Sequence, residues 1–144
     1  MSGTPGTGKT TVARKLAKDK GFLYVDVNKV IEKDKLSEGY DEEKDTKIID
    51  TKKLNKALVK IIKKSKEKGL VIDSHLSHYL PKRYVDKCII TKCSLKELKK
   101  RLEKRGYLKE KVRENLDAEI FDTCRIEALE AGHEVEVVMT DQTS

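Results

Sequence analysis

The chain has no tryptophan, two phenylalanines and two prolines, and aromatic residues make up only 5% of it. None of them interleaves the lysine series Lys60, Lys63, Lys64, Lys66 and Lys68. A solvated helix face is therefore the plainer reading of that series and RNA contact the sharper one, since base stacking needs aromatic platforms. Cysteine is scarce as well. Cys88, Cys93 and Cys124 are odd in number and show no C-x-x-C or His-linked spacing, which argues against a disulfide framework or a zinc site and for a reducing compartment. No apolar run approaches 18 residues, so no membrane partner is expected. No signal peptide, internal repeat or low-complexity tail is evident. On these absences a cytoplasmic location is expected, or a nuclear one if the chain comes from a eukaryote.

What the chain does have is charge. Asp, Glu, Lys and Arg make up 40% of its 144 residues, with a net charge of +7. That balance favours acidic partners such as nucleotides or RNA. The length suits one domain with a real core. Lysine dominates the basic residues; arginine occurs only at 14, 83, 101, 105, 113 and 125.

One stretch organises the rest. Gly3-Thr4-Pro5-Gly6-Thr7-Gly8-Lys9-Thr10 matches G-x-x-x-x-G-K-T, a phosphate-binding loop. A polyphosphate needs several backbone N–H groups converging on its oxygens, and Gly3, Gly6 and Gly8 let the backbone curl close enough. Lys9 is expected to reach the β- and γ-phosphates, the Thr10 hydroxyl to ligate Mg²⁺, and Thr11 to join the nucleotide contacts. The following helix points its positive end at the anion. Only Met1 and Ser2 precede Gly3, so the buried strand that normally feeds such a loop is expected to be missing and the loop to be less firmly held.

Apolar spacing predicts a helix over 9–20 and a strand over 22–27. A short helix capped by Asn28 follows, then a long acidic loop over 36–49. A helix opening at Asp50 or Thr51 should carry Leu54, Leu58, Ile61 and Ile62 inward to Gly69. Strands at Leu70-Val71-Ile72 and Cys88-Ile89-Ile90 flank a Pro81-containing loop. Ser94-Leu95-Lys96-Glu97 is a capping box that opens a helix to Arg105. One long helix is expected over 110–131, with Val112, Leu116, Ile120 and Cys124 inward, before a last strand over 134–139. Strands alternating with helices predict an α/β fold, a parallel sheet with helices on both faces.

Asp73 ends an apolar strand, and in such sheets ligands bind at the carboxyl ends of strands. It is either an Mg²⁺-binding carboxylate or a cap of the next loop. His75 either positions a water or phosphate oxygen or is hydrogen-bonded in its loop. Arg101 and Arg105, four apart on one helix face, could direct guanidinium groups at a transferring phosphoryl group, or could simply complement the helix C-terminus. Arg83 is a third candidate, for gripping an acceptor phosphate. His78 and His133 read as structural or exposed.

Together these residues resemble the adenylate kinase isoenzyme six, or coilin-interacting nuclear ATPase, family. The likeness is carried by Gly3–Thr11, Glu38-Gly39-Tyr40-Asp41-Glu42-Glu43 and Ile72-Asp73-Ser74-His75. It continues in Arg101-Leu102-Glu103-Lys104-Arg105-Gly106-Tyr107 and in Asn115 with Ala118-Glu119-Ile120-Phe121. The resemblance implies a single nucleoside-monophosphate-kinase-like P-loop domain over 1–144, with a monophosphate-binding segment over 26–49. It implies a lid over 104–114 in which Arg105 touches ATP. It also implies ATP plus AMP giving two ADP, a slow ATPase, and contact with a small-subunit ribosomal protein and pre-rRNA. Three departures stand out: Glu32 where the family carries an arginine, no first strand, and no closing helix before Ser144.

Overall fold

A computed structural model describes residues 1–41 and 46–140 of the chain. The first helix, α1 (Lys9–Lys20), buries Ala13 and Ala17. It stops where Gly21 takes φ 67°, a left-handed conformation that lets its N–H cap the carbonyls of Ala17 and Lys18. Strand β2 (Leu23–Asp26) pairs in parallel with β5 (Leu70–Asp73), Asp26 opposite Asp73. Strand β6 (Cys88–Lys92) lies between β7 (Val135–Met139) and a two-residue strand, β1 (Ser2–Gly3), both parallel to it. The first strand is therefore present, if short, against the expectation that it is absent. Met1 extends it to the other side: its nitrogen donates to Ile72 O at 2.9 Å and its carbonyl accepts from Ser74 N at 3.3 Å. These bonds join the halves into the order β2-β5-β1-β6-β7.

Successive side chains on a strand point to opposite faces, which decides the layers. Val71 and Ile89 pack with Ala13 and Ala17 of α1. On the other face Ile72 packs with Val27, Ile31, Leu54, Leu58 and Leu80, a cluster built by α2 (Val27–Lys33) and α3 (Thr51–Lys64). Ile90 and Cys88 meet Ala128 of α6 (Thr123–Glu130) on that face too. Helices α4 (Leu95–Lys104) and α5 (Lys109–Ile120) form a separate cluster with Leu98, Leu102, Val112 and Cys93.

Four local expectations are corrected. Asp26, not Asn28, caps α2, its carboxylate accepting from Asn28 N at 3.0 Å. Helix α3 ends at Lys64, where Ser65 turns extended, short of Gly69. The expected acidic loop contains an antiparallel ribbon, β3 (Ser37–Asp41) with β4 (Thr46–Ile49). Glu42 and Glu43 of the acidic block lie outside the described residues. The long helix over 110–131 is two helices: Asp122 adopts φ 56° between them, accepting from Lys92 Nζ at 2.7 Å and from Arg125 Nε. Ile120, the last residue of α5 before that break, is exposed rather than inward. Two short 3₁₀ turns, Ser77–Tyr79 and Lys82–Tyr84, follow β5.

Candidate functional site

The glycine-rich loop is anchored mostly by threonines. Thr7 is fully buried; its Oγ1 donates to Thr4 O at 2.6 Å and shares a 2.8 Å bond with Thr91 Oγ1 on β6. Thr140, just past β7, donates from Oγ1 to Thr7 O. Gly3 is squeezed against β6, where a Cβ would lie 2.6 Å from Thr91 O. A Cβ on Gly6 would sit 3.0 Å from the Leu98 and Leu102 side chains of α4. So the glycines serve close packing of the loop against its own protein as well as access for an anion. The expectation of a loosely held loop does not match these contacts.

From the loop, α1 begins at Lys9, with Gly8 at φ 85° turning the chain into it. Thr10 Oγ1 donates to Asp73 Oδ2 at 2.9 Å, bringing the loop and the end of β5 together as the strand-end argument required. Asp73 is buried, and a second donor, the hydroxyl of Tyr24 from within β2, reaches the same Oδ2. Half-buried Lys9 lies below its ordinary pKa because of desolvation, with Asp73 opposing and Arg105 reinforcing the shift. The charges of Asp73 and Arg105 are thus both felt at Lys9.

His75 lies two residues past the end of β5, exposed as a whole residue although the surrounding chain desolvates its ring. Desolvation by its surroundings, with the charges of Lys9, His78 and Lys111, pushes its pKa down to about 4, so the imidazole is neutral near pH 7. Arg105 is exposed at the start of the short link between α4 and α5, its Nη1 3.5 Å from Tyr107 Oη.

Arg101 is already committed. Its Nε donates to Glu97 Oε1 at 3.2 Å, Nη1 to Gly6 O at 3.3 Å and Thr140 Oγ1 at 3.0 Å, and Nη2 to Thr140 O at 2.8 Å. Arg83 lies in the Lys82–Tyr84 turn with its guanidinium 5.0 Å from the Tyr84 ring centre, on the far stretch of the loop after β5. It is not among the residues lining the cleft beside the glycine loop. That cleft, about 670 Å³, runs between the loop and the α4–β7 flank, lined by Gly8, Thr11, Arg101, Lys104, Arg105 and Thr140. Thr10, Asp73 and Tyr24 stand on the β2–β5 flank instead.

His78 and His133 are buried and structural. His78 Nδ1 pairs with Ser2 Oγ at 2.7 Å and Nε2 with Glu127 Oε2 at 3.1 Å, while His133 Nε2 donates to His78 O at 2.8 Å. Sequence reasoning missed Tyr24 and Thr140. Thr140 directly follows the carboxyl end of a strand, the signal that singled out Asp73, whereas Tyr24 is the second residue of β2 and carries no such signal.

Among the described residues no group of three or more His, Cys, Asp and Glu could cage a metal. A hydroxyl and a carboxylate together do suit Mg²⁺, which keeps several waters and takes its remaining ligands from phosphate oxygens. The donors at Thr10 and Asp73 therefore fit that ion.

A family model described as an AAA domain matches residues 1–122. The chain is 38% identical over 141 residues to a protein of Methanocaldococcus jannaschii named "Putative adenylate kinase", covering 98% of this chain and 77% of that one. A protein of the same name from Pyrococcus furiosus is 38% identical over 144 residues, 99% of this chain and 75% of that one. The "Adenylate kinase isoenzyme 6 homolog" of Caenorhabditis elegans is 33% identical over 147 residues, covering 99% and 80%. The chain belongs to the adenylate kinase family of P-loop phosphotransferases. No described helix is long and apolar enough to cross a membrane.

Proposed function

We propose that this adenylate kinase family member transfers the γ-phosphoryl group of ATP to AMP in the presence of Mg²⁺ and also hydrolyses ATP slowly. The observation that carries the reading is the convergence of Lys9, Thr10 and Asp73, with Thr10 Oγ1 2.9 Å from Asp73 Oδ2. Phosphoryl transfer asks a protein for positioning and charge stabilisation rather than covalent chemistry. The loop N–H groups and Lys9 hold the phosphates, the cleft beside α4 receives the nucleoside end of ATP, and Arg105 swings in from the α4–α5 link to screen the moving group. Neutral His75, at the open edge, orients the acceptor oxygen or the attacking water. Thr10 and Asp73 would hold Mg²⁺, which neutralises charge developing on the phosphate oxygens. The segment 26–49, which contributes α2 and the strands β3 and β4, would present AMP, and residues 104–114 would act as the lid.

The decisive measurement is ADP formation from ATP and AMP by the wild type and by Lys9→Ala. A loss of at least about 100-fold is expected, because the lysine stabilises charge that grows in the transition state; equal rates would sink the reading. Action in small-ribosomal-subunit maturation, through a ribosomal protein and pre-rRNA, extends the proposal. It is supported by the family resemblance and the net charge of +7. Nucleotide-sensitive capture of small-subunit components from a lysate is expected; capture unaffected by ATP counts against it.

A further inference from the structure

Asp73 carries the metal side of the proposed site, and a carboxylate is poorly fixed by one hydrogen bond, since rotation about its terminal bond is soft. Two donors reach it, both at Oδ2: Thr10 Oγ1 at 2.9 Å, from the first turn of α1, and the Tyr24 hydroxyl, from the neighbouring strand. Among the described residues no hydrogen bond reaches Oδ1. We propose that Tyr24 is a positioning residue: its hydroxyl, donating beside Thr10, sets the plane of the Asp73 carboxylate and leaves Oδ1 as the oxygen offered to a water of a phosphate-bound Mg²⁺. This rests on the phosphoryl-transfer reading above and adds a residue to it.

The fold builds the arrangement from two directions. Register places Asp26 opposite Asp73, so Tyr24 lies two residues before the partner of the carboxylate on the adjacent strand, close enough for a long phenol side chain to reach forward. Arg14 lies one turn beyond Thr10 on α1, and its guanidinium sits 5.3 Å from the centre of the Tyr24 ring. Helix α1 therefore grips Asp73 at Thr10 and grips the ring that orients Asp73 at Arg14. Tyr24 Oη donates to a carboxylate, a charge-assisted bond of the stronger kind. Orienting partners of this sort are worth about 10–100-fold in metal affinity or activity where they have been removed.

The test is calorimetric titration of wild type and Tyr24→Phe with a non-hydrolysable ATP analogue, with Mg²⁺ and with EDTA. Phenylalanine keeps the ring that Arg14 packs against and deletes the hydroxyl, with its bonds to Asp73 and to Arg14. The wild type is expected to bind more tightly with Mg²⁺. In Tyr24→Phe that gain should shrink about tenfold, with EDTA affinity and melting temperature close to wild type. Combining Tyr24→Phe with Asp73→Asn should cost nothing beyond Asp73→Asn alone. If the variant keeps the full Mg²⁺ gain, or loses affinity equally with and without Mg²⁺, the positioning role is overturned while the phosphoryl-transfer reading stands. If the wild type itself gains nothing from Mg²⁺, the underlying reading falls and takes this role with it.

Discussion

Gly3 shows how one residue can be constrained from two sides. Its φ of 139° is one that L side chains rarely adopt, and a Cβ there would lie 2.6 Å from the Thr91 carbonyl, which is backbone and cannot swing away. Gly3→Ala should destabilise the fold by about 1–3 kcal/mol through overpacking, read as a lower urea midpoint at unchanged slope. His78 makes a second residue-scale case. It is buried between Ser2 Oγ, Glu127, the Tyr79 ring, His133 and the Met1 amino group, contributed by β1, α6 and the turns around them. Desolvation lowers its pKa below the usual 6.5, against the raising effect of Glu127. A histidine whose folded pKa lies below its unfolded one binds fewer protons when folded. Its contribution to stability is then complete above pH 6.5 and is lost as pH falls towards the folded value. Melting temperature should drop between about pH 7.5 and about pH 5.5, and the slope should be shallower in His78→Gln. Equal slopes in the two proteins would show that other groups carry the dependence.

At the scale of elements, the break between α5 and α6 is the informative one. Val112, Leu116, Ile120 and Cys124 recur every four residues, so periodicity alone joins the two helices. What breaks them is long-range: Asp122 is pulled towards Lys92 at the end of β6, and its left-handed backbone ends α5. Burial opposes ionisation of Asp122, but the bonds from Lys92 and Arg125 outweigh it and hold its carboxyl below the usual range. Asp122→Ala removes these bonds and leaves a left-handed alanine, so it should cost about 2 kcal/mol. Asp122→Asn, which tolerates that backbone, should cost less; denaturant titration of the pair decides the order. The same contrast explains what was legible in the sequence. The P-loop, α1, the β5–Asp73 edge and the Ser94 cap rest on local chemistry and were readable as they stand. The β3–β4 ribbon was not, because Tyr40 and Ile48 are exposed and no buried face imposes an apolar alternation. Tyr24 was readable as a strand residue, but its hydroxyl's partner depends on which strand lies alongside, and that is a property of the sheet.

Across the whole molecule, the glycine loop lies where the pieces meet: β1 between β5 and β6, α4 above Gly6, and Thr140 at the exit of β7. Arg101 spans this junction, tying α4 to Gly6 O and to both oxygens of Thr140, while Thr140 Oγ1 in turn donates to Thr7 O. Two roles for Arg101 then make different predictions. If it contacts ATP directly, its loss and the loss of the Thr140 hydroxyl act independently on affinity, and their effects add. If it holds the loop in shape through Thr140, either change breaks the same chain of bonds, and the second costs little once the first is made. The bonds already occupying Nε, Nη1 and Nη2 favour the second. Arg101→Leu and Thr140→Val should each weaken ATP binding, with the double variant no worse than about twofold below Arg101→Leu. Arg101→Leu should also lower unliganded stability by about 1.5–3 kcal/mol, the range for hydrogen bonds to a charged group. Saturating ATP should restore part of that loss, because a ligand that binds only the folded state raises its stability, by about 2.7 kcal/mol at 100 times the dissociation constant. Thermal melts of the four proteins across an ATP series measure both quantities at once. Strictly additive affinity losses would assign Arg101 to the nucleotide rather than to the loop.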